Sequence, residues 1–150
     1  MRLFLVRHAS YEAGAFGNPG LSDYGRQQAR LAGQGLLDWG AAPELAVVSR
    51  YRRAKETALL LLEKLGRSSV PLVELAEFSP GGDPETMRTV LESFDATSVL
   101  VVGHMSSIGH LATSLSPEAP FEFLNCTSVA LTRSPDGVWQ VDAVKRSWTP

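Results

Sequence analysis

Three short runs of consecutive apolar residues constrain the fold of this chain more than any other feature. They occupy residues 3–6, 45–48 and 99–102, and polar or turn-forming residues bound each of them. Because apolar and polar residues do not alternate within the runs, each predicted strand is buried on both of its faces. Such strands are typical of a parallel sheet that helices cover on both sides.

Segments with helical periodicity lie between these runs, and each carries an apolar stripe. The four stripes are Ala29, Ala32 and Leu36; Ala54, Ala58, Leu61, Leu62 and Leu65; Met87, Val90, Leu91 and Phe94; and Ile108, Leu111, Ala112 and Leu115. Ser22 is a predicted N-cap of the first helix, and Asp83 before Pro84 predicts the start of the third. Residues 70–73 are a weaker strand candidate, because Pro71 interrupts them. Strands that alternate with helices predict an α/β fold.

The pattern changes after the fourth predicted helix. Residues 127–132 predict a strand, Pro135-Asp136-Gly137 predicts a tight turn, and residues 138–144 alternate between apolar and polar. We expect this hairpin at an edge of the sheet. The 150 residues are therefore predicted to form one domain, 1–150, with a three-layer α/β architecture. Its sheet is mostly parallel, with helices on both faces and a C-terminal edge hairpin.

Composition and charge exclude several classes of protein. Fourteen basic and sixteen acidic residues give a formal net charge of −2, so no global field attracts nucleic acid or an anionic membrane. The single cysteine, Cys126, excludes an internal disulfide and a cysteine-rich zinc site. No apolar stretch approaches the roughly 20 residues that a membrane-spanning helix needs. A cytoplasmic location is expected, and neither a metal nor another cofactor is predicted.

Reactive side chains follow each of the three apolar runs. They are Arg7 and His8 after the first run, Arg50, Arg52 and Arg53 after the second, and His104 after the third. Because ligands of open α/β sheets bind outside the carboxyl ends of the strands, these residues are expected to lie at one site.

The predicted cluster combines guanidinium groups, two imidazoles and the N-terminus of the helix after His104. Arginine holds phosphate oxygens through paired hydrogen bonds, and free amides at a helix start add partial positive charge. Neighbouring cations disfavour protonation of an imidazole, so His8 is expected to be neutral at physiological pH. A neutral imidazole that faces a bound phosphate can attack phosphorus and form a phosphohistidine.

The same residues resemble the signatures of the histidine phosphatase (phosphoglycerate mutase-like) superfamily. Residues 5–10, Leu-Val-Arg-His-Ala-Ser, resemble its Arg-His-Gly signature, and residues 21–29, 49–58 and 101–104 resemble three further elements in the same order. Residues 77–83 and the C-terminal strand and turn are similar to short bacterial phosphohistidine phosphatases of the SixA type. Two positions depart from the family signatures. Ala9 stands where glycine is usual, and the pair Met105-Ser106 stands where the second residue is commonly proline.

The resemblance implies a metal-independent phosphatase with a covalent phosphohistidine intermediate. By that resemblance His8 is the nucleophile, while Arg7, Arg53 and His104 bind the phosphoryl group and stabilise its charge. Ser10 is a further candidate for substrate binding, with a local backbone cap as the alternative. Glu77 is the candidate general acid. Asp83 is its rival, although a helix cap explains that residue equally well.

The expected substrate is phosphohistidine on a protein, since the chain leaves no segment for a helical lid over the pocket. The alternative is a small phosphorylated metabolite, such as a sugar or nucleoside phosphate. A non-catalytic phosphate-binding or interaction domain is the alternative of another class. The glycine-rich residues 14–20 are expected at the mouth of the pocket. No nucleic-acid or membrane partner is predicted, and a monomer is expected although the sequence does not determine the oligomeric state.

Overall fold

The computed structural model describes residues 1–12, 14 and 17–150. The strands are β1 (Arg2–Arg7), β2 (Leu45–Val48), β3 (Leu72–Glu74), β4 (Ser98–Gly103), β5 (Ser128–Arg133) and β6 (Trp139–Lys145). The α-helices are α1 (Asp23–Asp38), α2 (Arg52–Lys64), α3 (Pro84–Ser93) and α4 (Ser107–Leu115), and a short 3₁₀ helix spans Ala76–Phe78. Within the described residues, no helix combines the length and apolar character that crossing a membrane requires.

The strands form one sheet in the order β3-β2-β4-β1-β5-β6. Strands β3, β2, β4 and β1 run parallel, while β5 pairs antiparallel with β1 and β6 antiparallel with β5. The register pairs Arg7 with Gly103 and Val48 with Val102, which brings the carboxyl ends of β1, β4 and β2 side by side. This edge carries the residues that the sequence singled out.

Helices cover the sheet on both faces, and β1 shows how the core is divided. Phe4 and Val6 pack with the buried stripes of α1 and α2, whereas Leu3 and Leu5 pack with those of α3 and α4. Alternate side chains of one strand point to opposite faces, so an unbroken apolar run supplies both cores. The predicted three-layer α/β sandwich is confirmed.

The helix starts follow local chemistry. The Ser22 side chain accepts a hydrogen bond from the Gly25 amide, and the Asp83 carboxylate accepts one from the Thr86 amide. These bonds satisfy amides that a helix leaves unpaired in its first turn. Both predicted N-caps are confirmed.

The predicted strand at residues 70–73 needs a correction, because β3 spans Leu72–Glu74. The Val70 amide bonds to the Arg67 carbonyl in a turn, and Pro71 has no amide hydrogen to donate to the sheet. The Pro71 carbonyl still accepts from the Ala46 amide at 2.9 Å, so pairing with β2 begins at the proline.

The C-terminal hairpin lies at the sheet edge, as predicted. Strand β5 pairs with β1, and β6 forms the outermost strand. Gly137 adopts φ 86° in the connecting turn, a conformation that favours glycine. The hairpin extends the sheet beyond β1 while leaving the carboxyl ends of β2, β4 and β1 adjacent.

Candidate active site

The candidate site lies where β1, β4 and β2 end. His8 follows β1, His104 follows β4 and Ser49 follows β2, while Arg53 lies in the first turn of α2. The ring centroids of His8 and His104 are 5.1 Å apart. The structure thus brings together the arginine and both histidines that the sequence placed on separate elements.

His8 is buried, with 3% of its surface exposed. Its Nδ1 lies 2.8 Å from the Ala9 carbonyl oxygen, and a carbonyl only accepts, so Nδ1 carries the proton. Burial lowers the pKa of His8 to about 4, and the charges of Arg7 and Arg53 act in the same direction. The imidazole is therefore neutral near pH 7, and its Nε2 has a free lone pair.

Arg53 faces that lone pair. Its Nε donates to His8 Nε2 at 3.4 Å. Its guanidinium carbon lies 4.8 Å from the ring centroid of Tyr11 and 4.9 Å from that of Tyr51. Contacts between a cation and aromatic rings are attractive and orient the guanidinium, so two tyrosines help to aim Arg53 at His8 Nε2.

His104 is also buried, with 2% of its surface exposed. Its Nε2 lies 2.6 Å from the Ser49 hydroxyl, which accepts the Tyr51 amide at 3.2 Å and can donate its own proton to Nε2. Nδ1 of the same ring is a buried atom with no hydrogen-bond partner among the described residues. Burial, followed by the proximity of His8, lowers the pKa of His104 to about 3. The ring thus has one nitrogen that is available to a ligand.

Arg7 is held by the chain segment that precedes β5. Its Nη1 donates to the Phe123 carbonyl at 3.0 Å, and the Cys126 amide donates to the Arg7 carbonyl at 3.0 Å. Asn125 Nδ2 donates to the His8 carbonyl at 3.1 Å. The Nε of Arg7 is buried without a partner in the part of the chain that the structure describes. Such a buried donor costs free energy unless a ligand satisfies it.

Thr57 connects the loop after β1 to α2. Its hydroxyl accepts the Ala9 amide at 2.9 Å and donates to the Arg53 carbonyl at 2.7 Å. Since the Ala9 carbonyl holds His8 Nδ1, this buried hydroxyl positions His8 and Arg53 together.

The Ser10 side chain is engaged by α1. Its hydroxyl and amide both donate to Gln28 Oε1, at 3.3 and 3.1 Å, and its carbonyl accepts the Ser22 amide. A side-chain carbon on Gly25 would lie 1.9 Å from the Ser10 carbonyl oxygen, so glycine permits this close approach. In this structure the Ser10 hydroxyl proton is therefore used in the hydrogen bond to Gln28 of α1.

The two candidate acids differ in their surroundings. Glu77 lies in the 3₁₀ helix, exposed, and its carboxylate makes no hydrogen bond or ion pair with the described residues. A side-chain carbon on Gly103 would lie 3.9 Å from the Phe78 carbonyl oxygen, so this helix adjoins the strand end before His104. Asp83 caps α3, and hydrogen bonds from the Thr86 amide and hydroxyl lower the pKa of its carboxyl.

The remaining arginines of this region lie at the periphery. Arg50 is exposed, and the Arg52 guanidinium pairs with Glu56 at 2.6 Å. Among the described residues, no group of three or more His, Cys, Asp or Glu side chains is placed to hold a metal ion.

A depression of about 410 Å³ lies beside Tyr11, and its described lining residues are Ser10, Tyr11, Gly14 and Asn125. Gly14 belongs to the glycine-rich segment expected at the pocket mouth. Residues 15 and 16 of that segment lie outside the described residues.

Sequence reasoning assigned no role to several residues that build the site. These are Tyr11, Ser49, Tyr51, Thr57 and Asn125. Ser49 directly follows β2, so its place at a strand end was an available signal. The two tyrosines and Asn125 act through contacts across separate elements, and no local pattern marks such contacts.

Comparison with known proteins agrees with this geometry. Residues 3–90 match the profile of the Histidine phosphatase superfamily (branch 1). Phosphohistidine phosphatase SixA of Escherichia coli (strain K12) is 30% identical to this chain, and the alignment covers 94% of this chain and 93% of that protein. A structure of the protein histidine phosphatase SixA complexed with tungstate matches with a TM-score of 0.88 and 25% identity, over 97% of each chain.

A second kind of relative matches over a shorter segment. The 2,3-bisphosphoglycerate-dependent phosphoglycerate mutase of Parvibaculum lavamentivorans is 35% identical over 48% of this chain and 37% of the mutase. The matched segment therefore spans little more than a third of the mutase's length.

Proposed function

Because this chain belongs to the histidine phosphatase superfamily, we propose that it is a metal-independent phosphatase that acts through a phosphohistidine at His8. Its substrate in this proposal is phosphohistidine on a protein. The observation that carries the proposal is the state of His8. Its Nδ1 proton is committed to the Ala9 carbonyl at 2.8 Å, and the free lone pair of Nε2 faces the Arg53 guanidinium at 3.4 Å.

Three donors around His8 form a cradle for the phosphoryl oxygens, and Arg53 Nε exchanges its 3.4 Å bond to His8 Nε2 for a bond to one of these oxygens. Arg53 Nε, Arg7 Nε and His104 Nδ1 donate to the phosphoryl group, and the latter two are buried atoms without partners among the described residues. Donors held in fixed positions, two of them on cationic guanidinium groups, stabilise the charge that develops during phosphoryl transfer. The cradle places phosphorus in front of His8 Nε2.

The reaction then proceeds in two displacements. The Nε2 lone pair attacks phosphorus, the bond from phosphorus to the leaving nitrogen breaks, and the leaving imidazole takes up a proton. Water next attacks the phosphohistidine, so that inorganic phosphate leaves and His8 Nε2 regains its lone pair. Throughout, the Ala9 carbonyl holds Nδ1–H and stabilises the positive charge that the imidazole acquires.

We assign the proton donor to Glu77. It is exposed on the 3₁₀ helix beside Gly103, where its carboxyl is free to approach a leaving group. The cap bonds of Asp83 lower the pKa of that carboxyl and engage its oxygen, which opposes the role of proton donor at neutral pH.

The share of each relative's length that aligns with this chain favours a protein substrate over a small metabolite. The SixA relative aligns over 93% of its length, whereas the mutase relative aligns over 37%. The rim of the site is also open, since Tyr11 and Tyr51 at its mouth are exposed. An open rim admits a phosphoryl group carried on the surface of another protein.

A rapid-quench experiment with a radiolabelled aryl phosphate tests the nucleophile. We expect an acid-labile, alkali-stable phosphoenzyme in the wild type and its absence in His8→Ala. His110→Ala is the matched control, because His110 is exposed and packs against Phe121. Turnover of His8→Ala at the wild-type rate would show that the nucleophile is another group. A chelator should leave the rate unchanged, and a large loss of activity would instead indicate a metal mechanism.

The substrate class requires a direct comparison of kcat/KM. We expect a phosphohistidine protein to exceed sugar and nucleoside phosphates by more than 100-fold, which corresponds to about 2.7 kcal/mol in the transition state. The reverse preference would identify a small-molecule phosphomonoesterase. Oxyanion binding without turnover of any substrate would identify a phosphate-binding domain.

A further inference from the structure

Two exposed aromatic rings flank the phosphoryl cradle. Tyr11 is 41% exposed and Tyr51 is 37% exposed. The Tyr11 ring lies edge-on to His8 at 5.5 Å between centroids, and the Tyr51 ring lies edge-on to His104 at 5.1 Å. Each ring therefore touches one catalytic imidazole and keeps part of its surface open to solvent. We call Tyr11 and Tyr51 the tyrosine pair.

Both rings of the tyrosine pair also contact the same cation, the Arg53 guanidinium. Both ring centroids lie within 5 Å of the Arg53 guanidinium carbon, at 4.8 and 4.9 Å. A phosphoryl group bound to Arg53 consequently lies near both rings. In an in-line displacement the leaving group departs on the side away from His8 Nε2, and both rings keep exposed surface beside the arginine that binds the phosphoryl group.

The depression beside Tyr11 carries a further constraint on the leaving group. Its described lining consists of Ser10, Tyr11, Gly14 and Asn125, none of which is charged. A second phosphate or a carboxylate on the substrate would find no cationic partner in this lining. A neutral, flat group instead gains contact area against the exposed part of an aromatic ring.

From these contacts we infer that the tyrosine pair forms a leaving-group subsite that binds a flat aromatic ring attached to the phosphoryl group. The inference rests on the proposed function and narrows its substrate class to ring-bearing phosphates, with the imidazole of phosphohistidine as the favoured occupant. Tyr11 and Tyr51 thereby become specificity-determining residues. Phosphate esters of flexible alkyl or sugar groups gain less, because they offer no planar face.

Phosphonates separate ring recognition from catalysis, since their carbon–phosphorus bond is not hydrolysed. Phenylphosphonate and methylphosphonate share the anionic head and differ in the ring. Tungstate, the oxyanion bound in the related SixA structure, reports on the cradle alone. Dissociation constants for the three are measured by calorimetry in the wild type, in Tyr11→Leu/Tyr51→Leu and in the matched control Tyr11→Phe/Tyr51→Phe.

We expect the wild type to bind phenylphosphonate more tightly than methylphosphonate by about 2- to 12-fold per ring engaged. The phenylalanine variant should keep this preference, and the leucine variant should lose it. Because the rings also orient Arg53, a fall in tungstate affinity is expected in the leucine variant, and it lowers the affinity for both phosphonates alike, so that their ratio remains the readout. Loss of tungstate affinity with an unchanged phenyl preference would overturn the inference, because the rings would then act through Arg53 alone. Loss of the preference in the phenylalanine variant would also overturn it, because hydroxyl groups would then make the contact.

Kinetics with phosphoimidazole and phenyl phosphate distinguish the two kinds of ring. Both should lose kcat/KM in the leucine variant relative to an alkyl phosphate, and the substrate with the larger loss carries the ring that the tyrosine pair prefers. If the double leucine variant fails to fold, Tyr11→Leu and Tyr51→Leu are measured singly. An inactive wild type would contradict the proposed function but not the phosphonate preference, so the two failures can be told apart.

Discussion

Lowering the pH should destabilise this protein through His8 and His104 before its carboxylates contribute. Burial lowers the pKa of His8 to about 4 and that of His104 to about 3, whereas an imidazole in the unfolded chain titrates near pH 6.5. Between these values the unfolded chain binds more protons than the folded one. The stabilisation is therefore complete above about pH 6.5 and is lost as the pH falls.

The magnitude follows from linkage. At pH 5 each unfolded imidazole is almost fully protonated while both folded ones remain largely neutral. Each histidine therefore removes about 2 kcal/mol of stability between pH 8 and pH 5, or about 4 kcal/mol for both.

Urea unfolding at pH 8, 6.5 and 5, in buffer free of phosphate, measures this loss. His8→Asn should reduce the loss by about half, since one buried imidazole is removed. His110→Ala is the matched control, because His110 is exposed, and it should leave the pH dependence unchanged. An identical loss in the wild type and in His8→Asn would refute the assignment of a buried, neutral nucleophile.

Three further substitutions test the framework of the site. Thr57→Val leaves the buried Ala9 amide without its 2.9 Å partner and should cost about 1–3 kcal/mol in urea unfolding; Thr57→Ser should retain more kcat, and equal kcat in both would contradict a positioning role. Gly25→Ala places a carbon 1.9 Å from the Ser10 carbonyl oxygen and should destabilise by about 1–3 kcal/mol, so an unchanged melting temperature would count against this close packing. Glu77→Gln should lower kcat more for an alkyl phosphate than for phosphoimidazole, because an alkoxide needs protonation more; equal losses would exclude Glu77 as the proton donor.

Local features of the fold were predictable because their physics is local. Ser22 and Asp83 cap helices through bonds within one turn, and the apolar stripes need only the helical repeat. The start of β3 was misplaced because of Pro71, whose carbonyl pairs with β2 although the residue has no amide hydrogen to donate. The residue type alone does not show whether the carbonyl bond or the missing amide decides where the strand begins.

The site was predictable in part. The positions of His8 and His104 after apolar runs identified a common sheet edge, and their resemblance to superfamily signatures suggested phosphoryl chemistry. The partners of those imidazoles were not predictable. Ser49 meets His104 Nε2 across strands, and Thr57 meets the Ala9 amide across 48 residues of chain.

The sequence by itself determined the strands and helices, apart from the bounds of β3, and which reactive side chains follow the strands. Apolar runs and capping residues act over a few neighbours, so a linear pattern contains their physics. The tertiary structure alone decided the strand order β3-β2-β4-β1, which brings three strand ends together. It also decided the burial that keeps His8 neutral and the placing of Tyr11 and Tyr51 around Arg53. Those properties depend on distances between remote segments, which arise only when the sheet and its helices pack.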